Sequence, residues 1–416
     1  MMKKKLMSKF FWSCLVGLVV FIAGFFQLAT AKAEEQPAQP DKSPIKIGST
    51  VALTGTAAKH GLGVNLGMQI YFDRINHEGG IDGRKIQLIT LDNKYDPTVA
   101  GPLARRLIDE DKVIALVGLH GSAIVAVVLP IAIEKKTLLF GVWSGPNSLY
   151  KMPPDRYAIN HRPSYGDEVM AATKGLLSIG IKPEEFAFFT QNDPFGDSVY
   201  NAAIQVLKQA GYKNAENLPY GRYTRNTLNV ESALATILEQ AKNTPPKVFI
   251  LGGLAEPNQK FIALARKEYP HALFVGVSGL IDPKQLAKSD ENHVISTQVV
   301  PSLESNLPAV HEYREDLKKY GQGATPSYTS LNTYLAARLF VKGLREAIAQ
   351  NKLTREGLID VFENMNNVDI GIGLPISFSK INHTGMHTIW VTIFKNGEFV
   401  ATNWPQLKAV LDKGNG

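Results

Sequence analysis

Residues 45–92 read "IKIGSTVALTGTAAKHGLGVNLGMQIYFDRINHEGGIDGRKIQLITLD". Two apolar runs, "IKIGSTVAL" and "KIQLITLD", flank "GMQIYFDRINHEGG", whose apolar residues recur with helical spacing and which closes on Gly79-Gly80. The spacing predicts a strand, a helix and a strand. The same alternation runs outward: helices over 98–111 and 122–136, strands over 113–119 and 137–143. After "RYAIN" (156–160) it starts again, with helices at 165–180, 196–211, 227–243 and 256–269 and strands at 186–191, 247–253 and 272–278. Continuous apolar strands separated by helices predict parallel sheets covered on both faces. Two such series predict an α/β protein of two doubly wound, Rossmann-like lobes.

The tail differs. Three helices are expected at 305–321, 326–350 and 354–365, then a hairpin over 388–400 turned by Asn396-Gly397. A chain of 416 residues exceeds one compact core. Its 44% hydrophobic and 20% charged content is that of a globular protein.

The net charge of +7 comes mostly from the first 33 residues, where Lys3, Lys4, Lys5, Lys9 and Lys32 stand without an acid. Over the remainder, 40 basic residues face 38 acidic ones. No basic stripe argues for nucleic acid. The same 33 residues have the layout of an export signal: a lysine-rich start, an apolar run and Ala31-Lys32-Ala33 as the cleavage site. The competing reading is an uncleaved anchor helix. No twin arginine is present, so the general secretory route and a periplasmic destination are expected. A polar lead-in, 34–43, follows. Cys14 is the single cysteine and lies inside the apolar run, so the mature chain has no disulfide and no thiolate chemistry.

In open parallel sheets ligands bind at the carboxyl edge, in the loops that follow the strands. Six loops qualify: 53–61, 119–123, 142–147, 191–197, 251–256 and 277–283. None carries a catalytic set. Gly61, Gly63 and Gly67 miss the dinucleotide spacing by one residue, and close helix packing explains them better. There is no phosphate loop and no G-x-S-x-G elbow at Ser144. His383 and His387 lie in a strand-rich, Gly385-interrupted stretch that is poor for a metal, and His60, His120 and His161 are scattered. Neither a cofactor, a metal nor a nucleophile with its base is expected.

"INHEGGIDGRKIQLITLDNKYDPTVA", "LTGTAAKHG", "YAINHRPSYGDE" and "QNDPFGDS" together resemble the type I periplasmic solute-binding proteins, the leucine/isoleucine/valine-binding branch of ABC-transporter receptors. The resemblance runs from about residue 45 to about 400. It implies two lobes joined by a three-strand hinge, with residues 44–162 plus 301–375 in the first and 163–300 plus 376–416 in the second. A small polar solute (an amino acid, an amide or a related organic acid) is trapped in the gap between the closing lobes. The liganded monomer then docks on a membrane permease. A sensor of the same fold and an exported α/β enzyme are the alternatives.

The resemblance also implies a ligand set. Ser122 falls on the serine that opens the third helix, where Gly121 and Ala123 offer backbone N–H groups to an anion; a simple N-cap is the other reading. Trp143 falls on a pocket position that is usually small. Ser144 and Gly145 fall on small and threonine positions, and Gly145 departs from the family there. His60 and Phe195 match aromatic pocket positions, Leu254 replaces another aromatic, and Tyr165 opens a helix near the crossover. Ser278 stands where amino-acid binders place a glutamate against the α-ammonium. Asp193, Glu256 or Asp282 are the expected substitutes; failing those, the ligand is not an α-amino acid.

Overall fold

The structure, a computed structural model, describes residues 41–414. The expected export signal, its Ala31-Lys32-Ala33 site, Cys14 and most of the lead-in lie outside the described residues. Within those residues no helix is long and apolar enough to cross a membrane.

The first sheet is built from β1 (Ile45–Val51), β2 (Ile86–Asp92), β3 (Ala115–Val117), β4 (Leu138–Phe140) and β5 (Ala158–Ile159). Its order is β2-β1-β3-β4-β5 and every pairing is parallel. Helices α1 (Ala58–His77), α2 (Pro97–Asp109) and α3 (Ser122–Glu134) connect its strands. The chain then crosses over to α4 (Tyr165–Ser178) and a second series: β6 (Phe186–Gln191), α5 (Pro194–Gln209), β7 (Tyr220–Tyr223), α6 (Glu231–Gln240), β8 (Val248–Gly252), α7 (Ala255–Glu268), β9 (Leu273–Gly276) and β10 (Val294–Gln298). It crosses back to α8 (Pro308–Tyr320), α9 (Tyr328–Ala349) and α10 (Arg355–Glu363), and then through the short pair β11 (Val368–Asp369) and β12 (Pro375–Ile376). A third crossing leads to the hairpin β13 (Trp390–Lys395) and β14 (Glu398–Thr402) and to α11 (Trp404–Gly414). The second sheet runs β14-β13-β10-β9-β8-β6-β7, parallel from β10 to β7 and antiparallel where β13 joins β10. This is the expected fold class: two doubly wound α/β lobes.

Both sheets reverse their strand order, the first between β1 and β3, the second between β6 and β8. At such a point the loops on either side diverge and leave a crevice at the carboxyl edge. The loops bearing His60 and Ser122 flank the first crevice; those bearing Asp193, Phe195 and Leu254 flank the second.

The glycines of α1 are packing residues, as their spacing suggested. A Cβ on Gly67 would stand 2.1 Å from the Ser330 carbonyl oxygen of α9, and one on Gly61 1.9 Å from that of Ala52. Besides the two-residue strands β5, β11 and β12, three elements escape the sequence pattern. β10 reads "VISTQ", and its buried Ser296, Thr297 and Gln298 hide it from an apolar count. β7 is an edge strand of alternating burial, and α11 follows the hairpin unannounced. The helix expected over 227–243 starts only at Glu231, after a loop that reaches the other lobe.

Candidate functional site

Ser122 is the first residue of α3, and the N-cap is Gly121, so the capping reading of Ser122 does not hold. Gly121 has φ +101° and a Cβ there would meet the Tyr95 ring at 2.5 Å, which excludes a capping side chain. The Ser122 hydroxyl lies 3.1 Å from the Ser144 hydroxyl, both buried. Gly145 is a joint: its carbonyl accepts from Tyr165 N–H at 2.8 Å, and a Cβ would stand 2.6 Å from that nitrogen.

Trp143 is buried to 2% exposure. Its ring centroid lies 5.6 Å from His60 and 5.0 Å from His120, and His120 stacks on Tyr95 at 5.0 Å. Tyr95 and His120 were not expected here; their rings follow β2 and β3, at the same edge as Trp143. Burial, reinforced by Lys59, brings the His60 pKa down to about 4. Burial holds His120 well below its usual value too.

The second lobe meets this surface directly. Arg225 donates to the Tyr95 carbonyl, and its guanidinium carbon lies 3.9 Å from the Tyr95 ring centroid. Lys59 pairs with Asp282, and Thr56 reaches Asn226 at 3.2 Å. Tyr165 and Phe195 pack with ring centroids 4.8 Å apart. Gly279 sits against Trp143: a Cβ would stand 2.6 Å from the indole Cζ2, at φ +73°. Gly279→Ala is therefore expected to prop the lobes apart, raising the radius of gyration in small-angle scattering; an unchanged value would show that this contact does not govern closure.

The substitution at Ser278 resolves unexpectedly. Its N–H donates to Glu168 Oε2 at 2.8 Å and its hydroxyl to Oε1 at 3.0 Å. Thr297 Oγ1 donates to Oε2 at 2.6 Å, and Arg162 Nη2 donates to Oε1. Arg162 and Glu168 are wholly buried. Burial opposes the Arg162 charge, but the Glu168 carboxylate outweighs it and raises the guanidinium pKa. The carboxylate at this place is thus Glu168, which the sequence reading passed over.

The three expected substitutes are occupied or peripheral. Asp193 caps α5, accepting from Phe195 N–H at 2.9 Å, Gly196 N–H at 3.3 Å and Gln191 Nε2 at 2.6 Å, with Arg225 Nε 3.8 Å away. Burial raises its pKa although Arg225 works against the rise. Asp282 caps a short turn and pairs with Lys59. Glu256 is exposed at the rim. Leu254 is buried and donates its N–H to the Tyr223 hydroxyl at 3.0 Å, which ties the loop and leaves no aromatic face there.

The facing rims therefore exist, but the open gap expected from the sequence does not. Side chains fill it, and the rim hollow bounded by Thr56, Gln191, Tyr223 and Leu254 has about 10 Å³, about enough for one water. His383, considered as a metal ligand, instead bonds the Ala158 carbonyl at 2.9 Å and Glu363 at 3.2 Å, and no cluster of metal-ligating type occurs among the described residues.

Comparison with known proteins agrees with this geometry. Residues 44–398 match the family model described as "Periplasmic binding protein". The chain belongs to the periplasmic binding protein family. A curated relative, Leu/Ile/Val-binding protein homolog 7 of Brucella abortus, is 24% identical over 403 residues, covering 90% of this chain and 94% of its own. The crystal structure of a possible leucine/isoleucine/valine-binding protein from Rhodopirellula baltica is 32% identical, with TM-score 0.83 over 89% of this chain and 100% of that one. Two more distant structures share the fold: a branched-chain amino acid ABC transporter protein of Thermus thermophilus with bound valine, at 18% identity, TM-score 0.75 and 87% and 96% coverage, and a solute-binding protein of R. palustris with benzoate, at 16%, 0.73 and 86% and 96%. The relatives of this periplasmic binding protein are binding proteins, not enzymes.

Proposed function

We propose that this periplasmic binding protein is the extracytoplasmic receptor of an ABC importer and closes its lobes on a small organic acid that lacks an α-ammonium group. One observation carries the ligand class. The buried carboxylates of the site, Glu168 and Asp193, already accept from protein donors, and Asp193 is also ion-paired with Arg225 Nε at 3.8 Å, whereas Arg162 Nη1 is buried and forms no hydrogen bond. Buried donors without partners are costly and call for an acceptor. A carboxylate supplies two acceptor oxygens; an ammonium would bring further donors to a site that has enough. The Tyr165 ring stands beside Arg162, with its phenol near the Ser144 hydroxyl that pairs with Ser122, to complete the acceptor's shell, and Trp143, His60 and Phe195 provide flat apolar surface. The same fold holds benzoate in one neighbour and valine in another, so both chemistries fit the architecture. A membrane permease is the partner, the periplasm the location, and the receptor acts as a monomer.

The test is a matched pair. Isovalerate is valine without its ammonium. Isovalerate is expected to raise the melting temperature of the mature protein and valine is not. Binding at a hundredfold excess over Kd stabilises by about 2.7 kcal/mol. Stabilisation by valine alone would refute the ligand class; stabilisation by neither, with none from benzoate or phenylacetate, would refute the small-acid reading.

A further inference from the structure

A second hollow lies outside the cleft. It is a groove of about 520 Å³ on the crossover side, within the range of small-molecule sites. Its walls come from the loop after β4, from α4 and α5, and from the third crossing between the sheets. We infer that this groove is a second solute site, separate from the cleft, that takes a neutral hydroxylated solute of mono- or disaccharide size.

Three features give the ligand class. Asn201 and Gln205 lie four apart on α5, so their carboxamides project from one helix face into the groove. Asn147 adds another from the opposite side, and Asn382, whose Oδ1 already accepts from the Thr384 N–H at 3.0 Å, adds its amide donors. A carboxamide both donates and accepts, as a sugar hydroxyl does, so such a set pairs with vicinal hydroxyls whichever way they turn. Next, no lysine or arginine lines the groove and its one basic side chain is the His387 imidazole, so an anion would find no permanent counter-charge. The one carboxylate, Asp167, is engaged through Oδ2 by the Ser164 N–H at 2.9 Å and the Ser164 hydroxyl at 2.7 Å, which uses it as the capping box of α4. Last, Met152 and Met170 supply apolar wall for the C–H face of a ring.

The cleft has the opposite character: buried arginines, aromatic rings and hydroxyls, with almost no free volume. The two sites therefore discriminate by charge, and the groove does not depend on the ligand proposed for the cleft.

Isothermal titration of the mature protein with trehalose and with glucose tests the inference, with gluconate and choline as charged probes. Saturable binding of at least one neutral probe is expected, weakened roughly tenfold or more by Asn201→Ala combined with Gln205→Ala. Both side chains are exposed on a helix and alanine favours the helical state, so this variant folds. Ser122→Ala, in the cleft, is expected to leave sugar binding unchanged. No saturable binding of either sugar, binding of a charged probe alone, or a loss in Ser122→Ala equal to that in the groove variant would each overturn the second site.

Discussion

Arg162→Met is expected to destabilise the fold by about 3–5 kcal/mol, the cost of leaving a buried carboxylate without its cation. Glu168 has no exposure, so it cannot turn to solvent when the guanidinium goes. The three remaining donors, Ser278 N–H, Ser278 Oγ and Thr297 Oγ1, are neutral and do not replace the charge. The double variant Arg162→Met with Glu168→Gln removes both charges and keeps an acceptor for those donors, so most of the loss is expected to return. Urea midpoints of the single and double variants decide this. A single-variant loss under about 1 kcal/mol, or a double variant no better than the single, would mean that the pair is not the electrostatic unit described here. Under the proposed ligand class, both variants also lose the stabilisation given by isovalerate, because the guanidinium that meets the solute is gone in each.

Acid should weaken the protein well before carboxylate titration unfolds it. Three histidines are buried as neutral rings. Burial brings His60 to about 4 and, reinforced by Arg162, His161 to about 3, and it holds His120 well below its normal value. The folded pKa lies below the unfolded value in each case, so the unfolded chain binds more protons as pH falls below about 6.5. The histidine contribution is fully present above pH 6.5 and is lost progressively toward the folded values. Each ring contributes at most about 1.4 kcal/mol per pH unit, or about 2 kcal/mol between pH 6.5 and 5. Asp193 and Asp316, raised by burial, act with the opposite sign at the acid end. The urea midpoint is expected to drop steeply from pH 7 to 5, and the drop should shrink by about a third in His161→Gln. A midpoint that stays level over that interval would show that the rings take up protons in the folded state.

The order of strands and helices was legible because burial on both faces writes itself as apolar runs such as "FAFFTQ" and "VFILGG", and because helices punctuate them at regular intervals. The six edge loops followed from that order alone, and contacts across the rims join several of them: Trp143 lies against Gly279, Lys59 pairs with Asp282, and Ser278 bonds the Glu168 carboxylate that Arg162 holds. What stayed hidden is polar and buried. β10 was missed because Ser296, Thr297 and Gln298 look like surface residues. Arg162 and Glu168 stood in the quoted "YAINHRPSYGDE", and opposite charges in a segment expected to cross between lobes were the available signal. Tyr95, His120 and Arg225 gave none, since a ring or guanidinium in a loop looks the same whether solvated or stacked.

The sequence by itself determined the parallel α/β order and the carboxyl-edge loops, because these depend on local period and residue type. Only the tertiary structure decided that Glu168 answers for Ser278, 110 residues away, and that Trp143 and Gly279 seal the rims against each other. Charge compensation and steric fit act over ångströms in space. Nothing in the spacing of residues along the chain records which distant donor a buried carboxylate will meet.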